Sequence, residues 1–114
     1  MGRIRDILKE TREYVQRFQE ELPEVTAATA KLYDKVYQDG ALSRQVKELI
    51  ALAIAITLRC EPCIAHHINS ALQAKATREQ IVETLAVAIQ MNGGPAIVQS
   101  PRVFQALEEL AGSE

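Results

Sequence analysis

The chain has 114 residues, of which 13 are Lys or Arg and 15 are Asp or Glu, so its formal net charge is only −2. Charges this evenly mixed exclude the basic stripe of a nucleic-acid-binding protein and the polybasic patch of a membrane-surface protein. Hydrophobic residues make up 47% of the chain and aromatic residues 4%. This composition predicts a single domain, residues 1–114, built around one aliphatic core.

No segment predicts a membrane span or a secretion signal. The longest apolar run, LIALAIAI, is far shorter than the ~20 residues of a spanning helix. The N-terminal residues MGRIRDILKETRE are charged and amphipathic, unlike the apolar centre of a signal peptide. We therefore expect a cytoplasmic protein. In that reducing compartment, two close-spaced cysteines are more typical of catalysis or metal binding than of a structural disulfide.

The first part of the chain predicts two helices. Apolar residues recur at helical spacing over residues 3–20, which indicates an amphipathic first helix. Pro23 ends this helix and suits the first turn of the next one. The second helix is expected to run to about Gln38, where Asp39-Gly40 ends it.

The middle of the chain predicts two further helices joined by a turn. Ser43 has the side chain of an N-cap for a third helix over about residues 44–58, whose apolar end predicts burial on several sides. Pro62 lacks an N–H and restricts the residue before it, so Arg59–Glu61 should form a turn. A fourth helix is then expected from Pro62 to about Lys75.

The last part of the chain predicts the remaining helices. Thr77 and Gln80 have the spacing of a capping box for a fifth helix over about residues 78–92, again nearly all apolar. The sequence NGGP breaks that helix, and Ser100-Pro101 either starts the last helix or kinks one that runs over about residues 95–110. The fold class is therefore predicted to be all-α with about six helices. Two nearly all-apolar helices favour a symmetric oligomer over a well-wrapped monomer.

The chemistry is concentrated in the segment KELIALAIAITLRCEPCIAHH, which holds both cysteines and both histidines. Two thiols separated by two residues can close a disulfide ring, and a nearby base can turn one of them into the reactive thiolate. At 100° per residue, Cys60, Cys63 and His67 lie at roughly 0°, 300° and 340° around one helix start. His67 is therefore the better-placed base for Cys63. His66 falls at roughly 240° and is predicted to be a surface or interface residue.

Glu48 could join this group only through the packing of two helices. If the third helix packs antiparallel to the fourth, Glu48 lies ~15 Å and His67 ~8 Å back from the turn. Side-chain length and one water could bridge that gap, so that Glu48 orients His67 and His67 takes the proton from Cys63. Spacing alone favours the alternative, an ordinary solvated helix glutamate.

The start of the fourth helix adds an electrostatic effect. A helix N-terminus favours an anion, so it stabilises a thiolate at Cys60 or Cys63. Arg59 would add to this stabilisation, whereas Glu61 would oppose it.

These residues resemble the alkylhydroperoxidase D-like members of the carboxymuconolactone decarboxylase family. The motif of those members is a glutamate, eleven residues, C-x-x-C, three residues and a histidine, and Glu48, Cys60, Cys63 and His67 match every position. The sequence MNGGPA at residues 91–96 resembles the glycine-rich break after the family's following helix. The resemblance covers about residues 25–110.

The resemblance implies an all-helical subunit that assembles into homotrimers or homohexamers, and a peroxidase cycle without a bound cofactor. Cys63 would be the peroxidatic thiolate that attacks a hydroperoxide, Cys60 would resolve the sulfenic acid as a disulfide, and His67 and Glu48 would form the proton relay. A dithiol or a thiol protein would then reduce the pair. Pro62 is a departure, because the best-studied alkylhydroperoxidase D type has a histidine there, so the relay here would be shorter.

Three other functions compete with a thiol peroxidase. Two thiols and two imidazoles could bind zinc, although four ligands within eight residues of one helix start fit a tetrahedral site poorly. A carboxymuconolactone-decarboxylase-type lyase would share the fold, but the namesake decarboxylases generally lack the cysteine pair. A non-catalytic helical oligomer with an idle cysteine pair is the third alternative.

Overall fold

The computed structural model describes residues 2–111, and within that range the chain forms six helices and no strand. The all-α prediction is therefore confirmed. The helices are α1 (Arg3–Glu21), α2 (Pro23–Val36), α3 (Arg44–Leu58), α4 (Glu61–Gln73), α5 (Arg78–Asn92) and α6 (Gly94–Leu110). Across the described residues, no helix combines the length and the hydropathy that a membrane crossing requires.

The link between α3 and α4 is only two residues long and follows from how α3 ends. Arg59 adopts the left-handed conformation (φ 58°), its N–H donates to the Ile56 carbonyl, and the Cys60 N–H donates to the Ala55 carbonyl. These two bonds form a Schellman motif, which usually has glycine at the left-handed position. The chain therefore reverses sharply, and α4 begins at Glu61, one residue earlier than Pro62.

The core lies between α3, α4, α5 and α6 and is aliphatic. The buried face of α3 repeats at helical spacing, with Leu52, Ala55 and Ile56 fully or almost fully buried. Ile64 and Ile68 of α4 face them and have no exposed surface. The opposite face of α3 is not covered within the chain, since Ile54 and Leu58 are 53% and 68% exposed. The expectation that this helix is buried on several sides therefore does not hold for the isolated chain.

The two last helices begin as local chemistry dictates. Thr77 and Gln80 form the predicted capping box at α5, each side chain bonded to the other's backbone N–H. Gly93 (φ 75°) separates α5 from α6, which starts at Gly94 and continues without interruption past Pro101. Of the two alternatives for the last helix, the structure has the one in which a single helix runs through Pro101. Because proline has no N–H, the carbonyl of Ile97 lacks its helical donor.

Helix α1 is held to the body at its first turn. Ile4 is 1% exposed and belongs to the core. Gly2 provides no side-chain cap, and the Glu109 carboxylate of α6 replaces it by accepting the N–H groups of Ile4 (3.2 Å) and Arg5 (3.0 Å). The Arg5 guanidinium donates in return to the Glu109 carbonyl. The N–H groups of a first helical turn have no acceptor within the helix, and a carboxylate can accept two of them while its negative charge is favoured at the helix N-terminus.

Helix α2 makes no comparable contribution to the core. None of its residues, Pro23–Val36, is buried, and the stripe that includes Val25, Leu32 and Val36 is about half exposed. It ends at Val36, two residues before the expected Gln38. Tyr33 of α2 nevertheless forms a hydrogen bond to a buried side chain of α3, which is described below.

Replacing Ile4 with alanine should lower the free energy of unfolding by about 2–4 kcal/mol, because it opens a cavity where α1 meets the core. Val15→Ala on the same helix is the matched control, since Val15 is 44% exposed and should cost under about 0.5 kcal/mol. Urea denaturation followed by circular dichroism measures both. Equal effects of the two variants would show that α1 is not anchored at Ile4.

Candidate functional site

Glu48 lies at the centre of the site, with no exposed surface. One of its oxygens, Oε1, is 2.8 Å from His67 Nδ1, and the other, Oε2, accepts the Tyr33 hydroxyl at 3.2 Å. Arg44, one turn earlier in α3, brings its Nε to 4.0 Å from Oε2. A buried carboxylate is costly unless both oxygens have partners, and here α2 and α4 supply them. The solvated-glutamate alternative is therefore wrong.

The structure brings Glu48 and His67 into direct contact, whereas the sequence predicted a water-bridged gap. The axial distances of Glu48 and His67 were counted back from the turn as if α3 and α4 had no offset along their axes. Residue counting cannot give that offset. Because Nδ1 faces the carboxylate, it carries the proton when Glu48 is charged, and Nε2 remains available as a base. The side chain of His67 is 15% exposed, so its ring is reachable from solvent.

Tyr33 is the site residue that the sequence did not indicate. Its hydroxyl contacts both Glu48 and His66 Nε2, the latter at 2.9 Å. Burial raises the pKa of Tyr33, the Ser70 hydroxyl partly opposes this, and the charge of Glu48 adds to the rise. The phenol therefore stays protonated and donates to Glu48. Once Glu48 is expected to bind His67, its second carboxylate oxygen needs another donor if the side chain is buried. This need is the only sequence-based reason to look for a residue such as Tyr33.

His66 is part of this network and not a free surface residue. Its ring meets Tyr33 edge-on, with centroids 5.7 Å apart, and lies 4.8 Å from the ring of His67. Since the Tyr33 proton goes to Glu48, His66 donates its Nε2 proton to the phenol oxygen. Burial lowers the pKa of His66, the neighbouring His67 lowers it further, and Glu48 partly offsets both. His66 is only partly exposed because its ring packs against Tyr33 of α2 and against the ring of His67, and its place at a subunit interface stays a prediction.

The two cysteines are joined as a disulfide at the start of α4, with their Cα atoms 5.2 Å apart. Cys60 is the N-cap residue of the helix, and its sulfur accepts the Cys63 backbone N–H at 3.3 Å. The helix start therefore directs an N–H at the sulfur of Cys60, a position that favours negative charge. Cys63 lies one turn further on, toward the histidines.

A cleft of about 240 Å³ opens beside Cys63. Its walls come from α1 and α4, and the residues that line it are Thr11, Tyr14, Pro62, Cys63, His66 and His67. The cleft thus brings together one cysteine and both imidazoles, while Cys60 is not among its lining residues. Among the described residues that line it, none is Lys or Arg. The arrangement can exchange protons and host a small, uncharged, partly apolar molecule.

The four side chains of the zinc alternative, Cys60, Cys63, His66 and His67, have other partners in the structure. Within residues 2–111, no three or more His, Cys, Asp or Glu side chains form a group that could hold a metal ion. The two thiols are bonded to each other, and the two imidazoles are bonded to Glu48 and Tyr33.

Comparison with known proteins relates this geometry to one family. The profile of the Carboxymuconolactone decarboxylase family matches residues 23–109, which leaves all of α1 outside the match. An uncharacterized protein of Cupriavidus necator is 42% identical over 73 residues, 64% of this chain and 65% of that protein. The matched segment thus spans slightly less than two thirds of that relative. A protein of the cox locus of Paracoccus denitrificans is 38% identical over 78 residues, 68% of this chain and 70% of that protein.

Solved structures extend the similarity to the whole fold. The apo form of a carboxymuconolactone decarboxylase family protein from Legionella pneumophila superposes with a TM-score of 0.93 at 33% identity, covering 97% of this chain and 99% of that one. A family protein from Thermotoga maritima, for which a role in an antioxidative response has been suggested, gives a TM-score of 0.81 at 31% identity and covers 91% and 89%.

His66 should titrate below its ordinary pKa of 6.5, because burial disfavours the imidazolium. Between the folded and unfolded pKa values the unfolded chain binds more protons, so the free energy of unfolding should fall as the pH drops below 6.5. Proton NMR of the imidazole C2–H signals measures the titration, and His66→Gln identifies the signal and should flatten the pH dependence of stability. A His66 signal that titrates above 6.5 would contradict this assignment.

Proposed function

The chain belongs to the carboxymuconolactone decarboxylase family, and from that membership we propose that it is a thiol-dependent peroxidase of the alkylhydroperoxidase D-like type. The observation that carries the proposal is the cleft in which Cys63 meets His67, a histidine held by a fully buried glutamate. A buried carboxylate that orients an imidazole within the same cleft as a cysteine is suited to activating that cysteine as a thiol nucleophile.

In the proposed cycle, Nε2 of His67 accepts the thiol proton of Cys63. The thiolate attacks the terminal oxygen of a hydroperoxide, the O–O bond breaks, and Cys63 becomes a sulfenic acid. The alkoxide that leaves takes the proton from His67 and departs as an alcohol. Glu48 stabilises the transient imidazolium through Nδ1. One sulfenic acid thus forms, and one alcohol is released, for each hydroperoxide that is reduced.

Cys60 completes the cycle as the resolving residue. Its thiol attacks the sulfur of the Cys63 sulfenic acid, water leaves, and the disulfide seen in the structure forms. An external dithiol or a thiol protein then reduces this disulfide and is itself oxidised. Support for the order of the two cysteines is that Cys63 lines the cleft and Cys60 does not.

The cleft favours an organic hydroperoxide over a carboxylated lactone. A carboxylated substrate calls for a cation, and none of the described residues lining the cleft is Lys or Arg. Thr11, Tyr14 and Pro62 form a wall suited to a small apolar group. The suggested antioxidative role of the Thermotoga maritima family protein agrees with peroxide reduction.

We also propose that the chain assembles into a homotrimer or homohexamer through the apolar surface that its own core leaves open. Large side chains more than half exposed occur on α2, α3, α5 and α6: Leu32, Ile54, Leu58, Val87, Met91 and Val98. An apolar groove of about 400 Å³ lies between α2 and α3. Exposed large apolar side chains in this number, together with an apolar groove, are typical of subunit interfaces.

The cysteine roles are tested by mixing fully reduced protein with cumene hydroperoxide. Wild type should lose two thiols per chain, Cys63→Ser should slow the reaction about 100-fold or more, and Cys60→Ser should react but stop at a sulfenic acid that dimedone traps. Hydrogen peroxide should react more slowly than the organic peroxide.

Three results of this experiment would change the assignment. If Cys63→Ser reacts fast with the hydroperoxide and Cys60→Ser does not react, the roles of the two cysteines are reversed. Wild-type thiol loss at the rate of a free thiol would refute the peroxidase. Turnover of a carboxylated lactone by protein lacking both cysteines would establish the lyase in its place.

Sedimentation equilibrium tests the assembly. The expected mass is three or six times the 12.6 kDa of one chain, and it should fall when Ile54 and Leu58 are both replaced with glutamate. Glu83→Lys is the control, because Glu83 is also exposed on a helix but is charged in the wild type. A monomer at micromolar concentration would refute the proposal.

A further inference from the structure

Glu61 lies between the two cysteines in the sequence Cys60-Glu61-Pro62-Cys63 and is the first residue of α4. A carboxylate so close to two thiols raises the energy of either thiolate, because the charges are alike. In a site that needs a thiolate, an uncompensated Glu61 would work against the chemistry.

The structure supplies Glu61 with two cations from distant parts of the chain. The Nε of Arg102 in α6 donates to Oε2, and the Arg3 guanidinium in α1 donates to Oε1 at 2.9 Å. The Arg102 side chain is only 26% exposed and is steadied by a second bond, from Nη1 to Gln105 Oε1 at 3.1 Å. Each carboxylate oxygen is therefore bound by a different arginine.

These contacts have an electrostatic consequence. The hydrogen bond from Arg102 is the main reason why the pKa of Glu61 lies below its ordinary range, and Arg3 adds to the effect. Glu61 is thus charged at neutral pH, and its charge is balanced locally by two guanidinium groups. The Glu61 carboxylate therefore adds no unbalanced negative charge of its own beside the cysteine pair.

The other charged groups near the pair do not take over this role. Asp6 and Glu10 of α1 line the same cavity of about 610 Å³ as Glu61 and add negative charge. Arg59 precedes the pair but is exposed, so solvent screens its charge. On the opposite side, Glu48 is bonded to His67.

We propose that Arg102, assisted by Arg3, is a positioning residue that acts through Glu61 to keep the cysteine pair reactive. It neutralises the carboxylate between the cysteines and holds it toward α1 and α6. The inference rests on the proposed thiol function and adds to it a determinant outside the Glu48–His67 relay. Because Arg3 precedes the family-matched segment, part of this device is contributed by α1.

The test measures thiolate formation in fully reduced full-length protein between pH 5 and 9, by the rate of alkylation with iodoacetamide. Arg102→Gln should slow alkylation at pH 6.5 by about three- to tenfold, equivalent to a rise of about half to one unit in the apparent thiol pKa. Glu61→Gln should speed it. The double variant Glu61→Gln with Arg102→Gln should recover to about the wild-type rate, because the carboxylate is lost together with the charge that neutralised it.

Rescue separates an electrostatic role from a merely structural tether. If Arg102 only tied α6 to α4, the double variant would remain as slow as Arg102→Gln, and the proposal would be overturned. Unchanged alkylation in Arg102→Gln would overturn it equally. Arg17→Gln is the matched control, because Arg17 forms an exposed ion pair with Glu21 of the same helix, and its loss should leave the rate unchanged.

Two further arms keep the result interpretable. Arg3→Gln should shift alkylation in the same direction by a smaller factor, and it serves as the test if Arg102→Gln does not fold by circular dichroism. Alkylation needs no hydroperoxide, so failure of peroxide turnover leaves this measurement intact. If Arg102→Gln raises the apparent thiol pKa as expected but the wild type does not reduce hydroperoxides, only the peroxidase proposal fails. If the wild type reduces hydroperoxides but Arg102→Gln leaves the thiol pKa unchanged, only the role of Arg102 fails.

Discussion

The buried carboxylate of Glu48 is the constraint on which the site depends. A charge removed from water is tolerated only when each oxygen finds a donor, and the chain meets this demand with His67 from α4 and Tyr33 from α2. The contacts fix the relative placement of three helices. They also fix the chemistry, since the nitrogen of His67 that is not bound to Glu48 is left to act on the cleft. His66 joins the network through Tyr33, so both imidazoles are oriented by one carboxylate.

The short link before the cysteines is the second constraint. Arg59 adopts a left-handed conformation that costs a non-glycine residue about 1 kcal/mol. In return, Cys60 lies both at the end of the Schellman motif of α3 and at the N-cap of α4. The cysteine pair is therefore set at a rigid junction between two core helices. Backbone strain next to reactive groups is common at functional sites.

Helix α1 connects the two ends of the chain to this junction. It lies wholly outside the family-matched segment, yet it forms a wall of the cleft through Tyr14 and contacts Glu61 through Arg3. Ile4 and the Glu109 carboxylate of α6 hold its first turn in place. Elements that surround the shared core thus provide one wall of the cleft and part of the charge balance at Glu61.

The sequence by itself determined what depends on neighbours along the chain. Side-chain caps at Ser43 and Thr77 and helical periodicity placed the helices to within about two residues. The family motif that runs from Glu48 to His67, and not spacing alone, identified the segment of the candidate site. Tertiary structure alone decided the direct contact within that pair and the meeting of His66 with Tyr33, because each joins different helices. Residue counting fixes position along one helix axis but neither the offset nor the rotation between two packed helices.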